Sequence, residues 1–374
     1  MHGDAPLIVG AGPVGLAAAV FLAAGGVRAR VIEKRAAPSL LSKALAINPR
    51  TLEILAEFGI AERLLAEGRK IVGAKFGTDP GRAATVPFSS LKHRYPFMLA
   101  LSQAATERIL ESELERLGVR VERSTELMRC GPSEAGARAF VRAGSGPEVR
   151  LDCPWILAAD GAHSTARASL GIAFSGDTMP EQWHLADAAL DTGLADDHAH
   201  AFILARGEFL FMIPVIDHTL AAHGPVWRMF SNRQKPLERL APTLGRPTAD
   251  PIWESAFTIS HRVADRFQRA PVFLAGDAAH IHSPAGARGM NLGIEDARVF
   301  AGMVLRGSAD RYDVRRRHVD AAVVRRVRLL TRTVSGHGPL APFRGLLPAL
   351  ARLAPIRHAM VATLTGTDHP LDRG

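Results

Sequence analysis

Apolar runs and glycine-rich turns alternate along the first 35 residues in an order that predicts strand, helix and strand. "LIV" (7–9) predicts a short buried strand, and "LAAAVFLAA" (16–24) predicts a helix of small residues that ends at Gly25-Gly26. "RARVIE" (28–33) predicts the next strand. The N-terminal segment therefore has the pattern of a βαβ unit.

Further along the chain, a short apolar run is followed by an aspartate at two places. "WILAADGAHSTAR" (155–167) places Asp160 after one such run, and "VFLAGDAAHIHSP" (272–284) places Asp277 after another. A helix is predicted to begin near Met290. Between these motifs, "EFLFMIPVIDHTLAAHGPVWRMFSN" (208–232) predicts strands separated by turns.

The first turn carries the spacing GxGxxG, which suits the binding of a dinucleotide. Gly10 permits a tight turn, Gly12 lets the backbone approach a diphosphate, and Gly15 lets the helix pack close to the strand. The diphosphate would lie at the helix N-terminus, where free N–H groups and the helix dipole favour an anion. Glu33 would accept hydrogen bonds from the adenosine ribose. A carboxylate there disfavours a 2′-phosphate, so we expect FAD or NAD rather than NADP.

The composition of the chain excludes several classes of protein but does not identify its function. The chain has 374 residues, of which 47% are hydrophobic, so it can bury a large core. Its only two cysteines, Cys130 and Cys153, offer neither a disulfide framework nor zinc spacing. The start lacks the pattern of a signal peptide, and no apolar run has the length of a transmembrane segment, so a cytoplasmic location is expected.

A net charge of +9 raises the question of an anionic partner. Most arginines are scattered, and the one dense run, "RYDVRRRHVDAAVVRRVRLLTR" (311–332), has helical spacing. A solvated helix face is favoured there over an anionic surface. Because the arginines do not cluster with aromatic residues, no stable nucleic-acid partner is expected.

The three motifs, in this order and at these separations, resemble the class A flavoprotein monooxygenases, the aromatic hydroxylases typified by p-hydroxybenzoate hydroxylase. "SKALAINPRTLEIL" (42–55), "LSQAATERILESELERLGV" (101–119) and "WESAFTISHRVADRF" (253–267) are also similar to segments of that family. The resemblance implies an α/β fold: an FAD-binding Rossmann-like domain with an interleaved α+β substrate domain and a helical C-terminus. The implied FAD domain takes residues 1–70, 98–175 and 266–305, and the substrate domain takes 71–97 and 176–265. Residues 306–374 would cover the pocket or form a dimer contact.

The resemblance also implies a set of FAD-binding residues. Glu33 would hold the ribose, Gln103 the linker and Asp277 the ribityl chain, and Pro284 would lie beside the flavin ring. Lys43 stands where an arginine is common in the family. The full set is Gly10, Gly12, Pro13, Val14, Gly15, Glu33, Lys34, Lys43, Gln103, Asp160, Gly276, Asp277, Pro284, Gly289, Met290 and Asn291. The last three would present backbone N–H groups to the pyrimidine edge of the flavin.

The activity implied is hydroxylation of an aromatic or polyketide-like molecule through a C4a-hydroperoxyflavin, with dioxygen as co-substrate and NAD(P)H as a transient reductant. Alternatives are a flavin-dependent halogenase or reductase of the same fold, or a non-catalytic protein that binds flavin or nucleic acid. Candidate substrate-pocket residues are Phe211, Met212, Pro214, His223, Trp227 and Met229. A monomer or a homodimer is expected.

Four polar residues, two within the third motif and two shortly after it, also have predicted roles. Structural hydrogen bonding is favoured over metal binding or catalysis for His280 and His282, since no third ligand lies at metal spacing. Asp296 is interpreted as a helix-surface or capping residue. Arg288 replaces the more usual glutamine of the family, and it is expected to affect the charge preference for substrates.

Overall fold

Short apolar runs build a central sheet, seen in a computed structural model that describes residues 5–39, 44–78, 83–134, 136–204, 208–239, 250–284, 286–337, 339 and 341–374. The strands of this first sheet lie in the order β18 (Gln268–Arg269), β19 (Val272–Leu274), β12 (Ile156–Ala158), β1 (Leu7–Val9), β2 (Arg30–Ile32) and β8 (Val121–Glu122). From β19 to β8 all neighbours are parallel. The predicted βαβ unit is therefore present.

The helices have distinct roles around this sheet. They are α1 (Pro13–Ala24), α2 (Pro49–Ala56), α3 (Ala61–Glu67), α4 (Gln103–Arg116), α5 (Thr165–Ser169), α6 (Gly289–Leu305), α7 (Tyr312–Val334), α8 (Leu347–Leu350) and α9 (Ala354–Thr365). Within α1 the run from Gly15 to Leu22 is buried all round, because the helix lies between the sheet, α4 and α6. Among the described residues, no helix combines the length and apolarity needed to cross a membrane.

The second sheet is larger and mostly antiparallel. Its order is β20 (His280–Ile281), β17 (Trp253–Ala264), β13 (Phe174–Ala189), β16 (Val226–Ser231), β15 (Phe209–Pro214), β14 (His198–Ile203), β5 (Gly73–Gly77) and β6 (Ala84–Pro87). Two small sheets hold β9 (Thr125–Ser133), β10 (Gly136–Ala143) and β11 (Glu148–Cys153), and β3 (Ala46–Ile47), β4 (Arg69–Ile71) and β7 (Met98–Ala100). Strand β20 pairs with β17, so the segment after Asp277 connects the first sheet to the second.

A buried ionic network lies behind this connection. The Asp296 carboxylate accepts hydrogen bonds from the Gly276 amide at 3.0 Å, from His280 Nε2 at 2.8 Å and from Arg316 Nε at 2.7 Å. Arg316 also pairs with Asp320. Burial, the nearby Asp296 charge and a hydrogen bond to Asp296 raise the pKa of Asp320, whereas Arg316 and His280 lower that of Asp296 despite its burial. The interpretation of Asp296 as a surface or capping residue is therefore wrong.

The same network contains three side chains whose ligand atoms lie close enough together to hold a metal ion: His280, Asp296 and Asp320. The Arg316 guanidinium already lies on both carboxylates, so a cation fills the position that a metal ion would need. His280 bonds Asp296, which agrees with the structural role predicted for it.

The arginine-rich helix α7 is held by acidic groups of the same chain. Arg316 is buried, and four neighbouring arginines form ion pairs: Arg315 with Asp372, Arg317 with Asp313, Arg326 with Asp368 and Arg328 with Asp177. These contacts agree with the predicted helix face and give the run a structural use.

The C-terminal residues fold back onto α2 and α6. Arg50 donates to the backbone carbonyls of Gly366 and His369. The His369 ring bonds Glu295 at 2.7 Å and Asp368 at 3.0 Å. Burial opposes protonation of His369, but these two carboxylates outweigh burial and raise its pKa.

Asp296→Asn should lower the free energy of unfolding by about 3–5 kcal/mol, because Arg316 then loses its buried anionic partner. Denaturant unfolding of the purified protein measures this change. Glu238→Gln removes one member of the exposed Lys235–Glu238 pair and should cost less than about 1 kcal/mol. Equal losses in the two variants would contradict the structural role of the network.

His369→Gln should destabilise the protein in a pH-dependent way. The folded pKa is raised, so the contribution of His369 is fully present below its unfolded value of about 6.5 and is lost as pH rises through the folded value. The free energy of unfolding should fall more at about pH 5.5 than at about pH 9. In a Glu295→Gln background this difference should shrink, and an unchanged difference would contradict the pairing.

Candidate active site

The three sequence motifs meet at one edge of the first sheet. Strands β1, β12 and β19 are adjacent and parallel, so the turns that follow them emerge side by side at their carboxyl ends. Open α/β sheets bind ligands at this edge. The topology thus converts motifs separated by more than a hundred residues into a single site.

The three turns lie in close contact, and glycine is required at two of the contacts. Gly10 has φ +101°, and a Cβ there would lie 2.3 Å from the Ala159 carbonyl oxygen. Gly276 has φ +59°, and a Cβ there would lie 2.8 Å from Val14 Cγ2. These positions demand glycine for conformation and for space. The first turn therefore packs directly on the second and third.

Arg167 fastens the second turn to the third. Its guanidinium donates to the Ala278 carbonyl at 2.9 Å and to the Ala162 carbonyl at 2.8 Å. The same group lies 3.9 Å from the centroid of the Phe174 ring. The arginine saturates backbone acceptors that would otherwise lie in the protein interior without partners.

Glu33 follows β2 at the same edge of the sheet. Its carboxylate accepts from the Ala11 amide at 2.9 Å and from the Arg35 side chain at 2.9 Å. Burial alone would raise the pKa of Glu33, but these hydrogen bonds bring it below its ordinary value. The group is therefore an anion at neutral pH, ready to accept hydrogen bonds from hydroxyl groups.

A cavity of about 720 Å³ extends from these turns to the second sheet. Most of the predicted cofactor residues line it: Gly10, Gly12, Pro13, Val14, Glu33, Lys34, Gln103, Asp160, Asp277, Pro284, Gly289 and Met290. Gly15 and Gly276 lie behind the lining, where they permit close packing. Lys43 lies outside the described residues, so its contact with FAD remains a prediction.

The side chain of Asn291 is used inside the protein, while the contact predicted for its backbone N–H remains a prediction. Its side chain accepts from the Asn48 amide and donates to the carbonyls of Ala46 and Ala287. It is completely buried and lies outside the cavity lining. The side chain therefore joins the start of α6 to the turn before α2, and the residues of α6 that reach the cavity are Gly289 and Met290.

The described residues fit the FAD that the sequence implies. A Cβ placed at Gly12 or Gly289 would meet no described atom within 4 Å, so the backbone is open to a ligand at both points. One oxygen of Asp160 accepts from the Ala166 amide, while the other is buried without a hydrogen-bond partner among the described residues. Open glycines, an orphaned carboxylate oxygen and anionic Glu33 suit a ligand with a diphosphate and several hydroxyl groups.

The far end of the cavity is mainly apolar. Strand β15 contributes Phe209, Phe211 and Ile213, and helix α9 contributes Ile356, Met360 and Leu364, spaced one turn apart. Further lining comes from Ile71, Val86, Phe88 and Met98. Residues 354–365 thus close one side of the cavity, one of the two roles expected of the C-terminal segment.

The predicted pocket residues need correction. Of the six, only Phe211 lines the cavity. Met212, Trp227 and Met229 face the opposite side of the sheet, where they pack in a separate cluster. Pro214 is buried away from the lining, and His223 is exposed on a helical turn. Successive side chains of a strand point to opposite faces, so Phe211 and Met212 could not both face the ligand.

Two polar side chains border this apolar region. Burial lowers the pKa of His282 to about 3, although part of the ring remains accessible from the cavity, so the imidazole is neutral. Its Nδ1 lies 2.9 Å from the Ser283 carbonyl, which can only accept, so Nδ1 carries the proton. Arg228 forms a two-point pair with Asp187, with both distances 2.7 Å.

Sequence reasoning missed several lining residues. Glu107, whose pKa is raised by burial, receives a hydrogen bond from Gln103 Nε2. Glu107 lies one helical turn after Gln103 in the sequence, and this spacing alone indicated that the two side chains share a face of the helix. The apolar spacing of Ile356, Met360 and Leu364 also indicated a helix face, but nothing local indicated what that face covers.

Comparison with known proteins agrees with this geometry. A protein family described as FAD binding domain matches residues 5–327. The chain is 34% identical to 6-methylpretetramide 4-monooxygenase of Streptomyces rimosus, over all of this chain and 72% of that protein. It is 33% identical to pentachlorophenol 4-monooxygenase of Sphingobium chlorophenolicum, over 89% of this chain and 65% of that protein. The chain thus spans about two thirds of the length of these relatives.

Solved structures show the same fold. The OxyS anhydrotetracycline hydroxylase from Streptomyces rimosus superimposes with a TM-score of 0.80 at 27% identity, covering 98% of this chain and 77% of that one. The p-nitrophenol 4-monooxygenase PnpA from Pseudomonas putida DLL-E4 has a TM-score of 0.85 at 23% identity, covering 97% and 98%. The family match, the two relatives and the three converging motifs agree that the chain belongs to the FAD-dependent aromatic hydroxylases.

Proposed function

We propose that the protein is a single-component, FAD-dependent monooxygenase that consumes NAD(P)H and dioxygen and hydroxylates an aromatic or polyketide-like molecule. The observation that carries the proposal is the continuity of one cavity from the dinucleotide turns to an apolar pocket. Such a cavity lets a flavin ring and an apolar substrate lie in contact. The relatives reported above are monooxygenases and hydroxylases, which favours this activity over a halogenase or a simple reductase.

FAD, when bound, would supply the redox chemistry, accepting a hydride from the nicotinamide and activating dioxygen. The protein's own contribution is placement and electrostatics. Glu33 and Asp277 would hold the ribose and ribityl hydroxyls. The N-terminus of α6 at Gly289 and Met290 would stabilise negative charge on the ring edge nearby, because helix N-termini favour anions.

The apolar end of the cavity would orient the substrate and exclude water. Phe211, Ile213, Met360 and Leu364 offer flat or flexible apolar surface to an aromatic ring. Exclusion of water protects reactive oxygen chemistry from hydrolysis and side reactions. No side chain acting as a catalytic acid or base is required by this scheme.

The division of the chain into domains and its oligomeric state are also proposals. We assign the FAD domain to residues 1–70, 98–175 and 266–305, and the substrate domain to 71–97 and 176–265. The composition of the two large sheets supports this division, although β13 begins two residues before its boundary and β20 joins the second sheet. A monomer or homodimer in the cytoplasm remains the expectation for the whole protein.

The purified protein should carry a yellow flavin and should oxidise NADH or NADPH faster in the presence of a suitable phenol or polyketide. Isotopically labelled dioxygen should deliver one oxygen atom to the product, as measured by mass spectrometry. Nicotinamide oxidation that yields only hydrogen peroxide with every substrate tested would favour a reductase. Halide-dependent product formation would favour a halogenase.

Asp277→Ala should weaken FAD binding roughly ten- to hundredfold, the effect of losing a hydrogen bond to a charged group. Flavin content after gel filtration and titration of the apoprotein with FAD measure the change. Asp310→Ala, at an exposed aspartate outside the cavity lining, is the matched control and should retain FAD. Equal affinity in the Asp277 and Asp310 variants would remove Asp277 from the site.

A further inference from the structure

Arg288 is a fully buried arginine in the lining of the cavity. Its side chain has 0% exposure. Nη1 donates to the Thr363 carbonyl at 3.0 Å and to Asp368 Oδ1 at 3.1 Å. Nε and Nη2 are buried and have no hydrogen-bond partner among the described residues. Buried donors without partners are costly, so these two call for an acceptor.

The two unpartnered nitrogens lie on one edge of the guanidinium. The N–H bonds of Nε and Nη2 point in parallel, which is the geometry that receives two oxygens at once. The same protein uses this edge elsewhere. Arg228 presents Nε and Nη2 to the two oxygens of Asp187, and Arg30 presents them to the two oxygens of Glu122. In Arg288, which is one of the residues that line the cavity, the equivalent edge has no partner among the described residues.

Asp368 alone does not neutralise the positive charge around Arg288. Asp368 also pairs with Arg326 and with His369, and Glu295 pairs with His369. Arg50 lies in the same group and is close enough to Arg288 for the two positive charges to repel. Glu53 also lies near Arg50, so three carboxylates face three arginines and a histidine whose pKa is raised. A further negative charge would be stabilised here.

The surroundings of Arg288 belong to the apolar end of the cavity. The neighbouring Ala287 packs against the same apolar cluster as Phe211, Met360 and Leu364. Thr363, which holds Nη1, lies on the same helix as Met360 and Leu364. The guanidinium is thus held through Nη1 by the C-terminal cover, while Nε and Nη2 have no partner among the described residues.

We propose that Arg288 is a specificity-determining residue that binds a pair of oxygens sharing a negative charge on the aromatic substrate. This inference rests on the proposed function, because it names the substrate class for the same cavity. A carboxylate or an ionised hydroxyl next to a ring carbonyl presents such a pair. Nε and Nη2 would each donate to one oxygen, and the apolar walls would hold the ring.

Matched ligands test the proposal by direct binding. Isothermal titration of the FAD-loaded protein compares 2-naphthoate with its methyl ester, which has the same ring and no charge. A second arm compares 2-hydroxy-1,4-naphthoquinone, ionised at neutral pH, with its methyl ether. Wild-type protein should prefer the anion of at least one pair by roughly ten- to hundredfold, as expected for charge-assisted hydrogen bonds. The arm that shows the preference identifies the source of the two oxygens.

Variants assign the preference to Arg288. Arg288→Gln should abolish it, and Arg288→Lys should keep only part of it, because an ammonium is a point charge without the parallel donors. Arg326→Gln removes a positive charge from the same network but lies outside the cavity lining, so it should keep the preference. If Arg288→Gln does not fold, the partial preference of Arg288→Lys still distinguishes the two-point contact from charge alone.

Three outcomes would overturn the inference: no anion preference in the wild-type protein, a preference unchanged in both Arg288 variants, or an equal loss in Arg326→Gln. A fourth is loss of FAD from Arg288→Gln with the anion preference restored on reloading, which would make Arg288 a cofactor residue. None of these measurements requires turnover. A protein that binds the anions as expected but oxidises no nicotinamide would fail the proposed function and not this assignment.

Discussion

The carboxylate of Asp296 is the point on which the site depends. It holds the amide of Gly276, the ring of His280 and the guanidinium of Arg316 in one buried network. Gly276 directly precedes Asp277, and His280 begins the strand that leads to the second sheet. A buried charge that keeps all its partners has few alternative arrangements, because each lost partner leaves an unsatisfied group in the interior. Asp296 thereby fixes the direction in which the third motif leaves the first sheet.

The cavity combines two physical environments that favour different parts of a ligand. At the dinucleotide end, turns rich in glycine expose backbone N–H groups and carboxylates. At the other end, side chains of β15 and α9 form apolar walls. Arg288 and His282 lie near the junction, one cationic and one neutral, so polar contacts there are few and directional. In a site of this kind, the ligand is held mainly by contact with apolar surface, and a small number of polar groups determine its orientation and identity.

Local sequence patterns predicted the parts of the structure that depend on local physics. Gly10 and Gly15 indicated their turn because a Cβ at either position would clash with backbone atoms, and Gly12 indicated it because a residue without a side chain leaves the backbone open to a ligand. The buried strands before Asp160 and Asp277 were visible as apolar runs. The facing of β15 was not predicted, because a run such as "FLFMIP" is apolar on both faces and its alternation gives no sign of which face meets the ligand. Asp296 was misplaced because a carboxylate in a helix normally faces water, and its partner Arg316 lies 20 residues away.

By itself, the sequence determined the first strand, turn and helix and indicated a dinucleotide ligand, since each follows from steric and hydrogen-bonding demands within a few residues. The choice of FAD came from the resemblance of the three motifs to a known family. Only the tertiary structure decided that α9 covers the cavity, that Phe211 rather than Met212 faces it, and that Arg288 is buried with one edge unpaired among the described residues. Those features depend on which distant surfaces pack together. Packing is set by the burial of apolar area and the pairing of charges across the whole chain, and neither is encoded in a short segment.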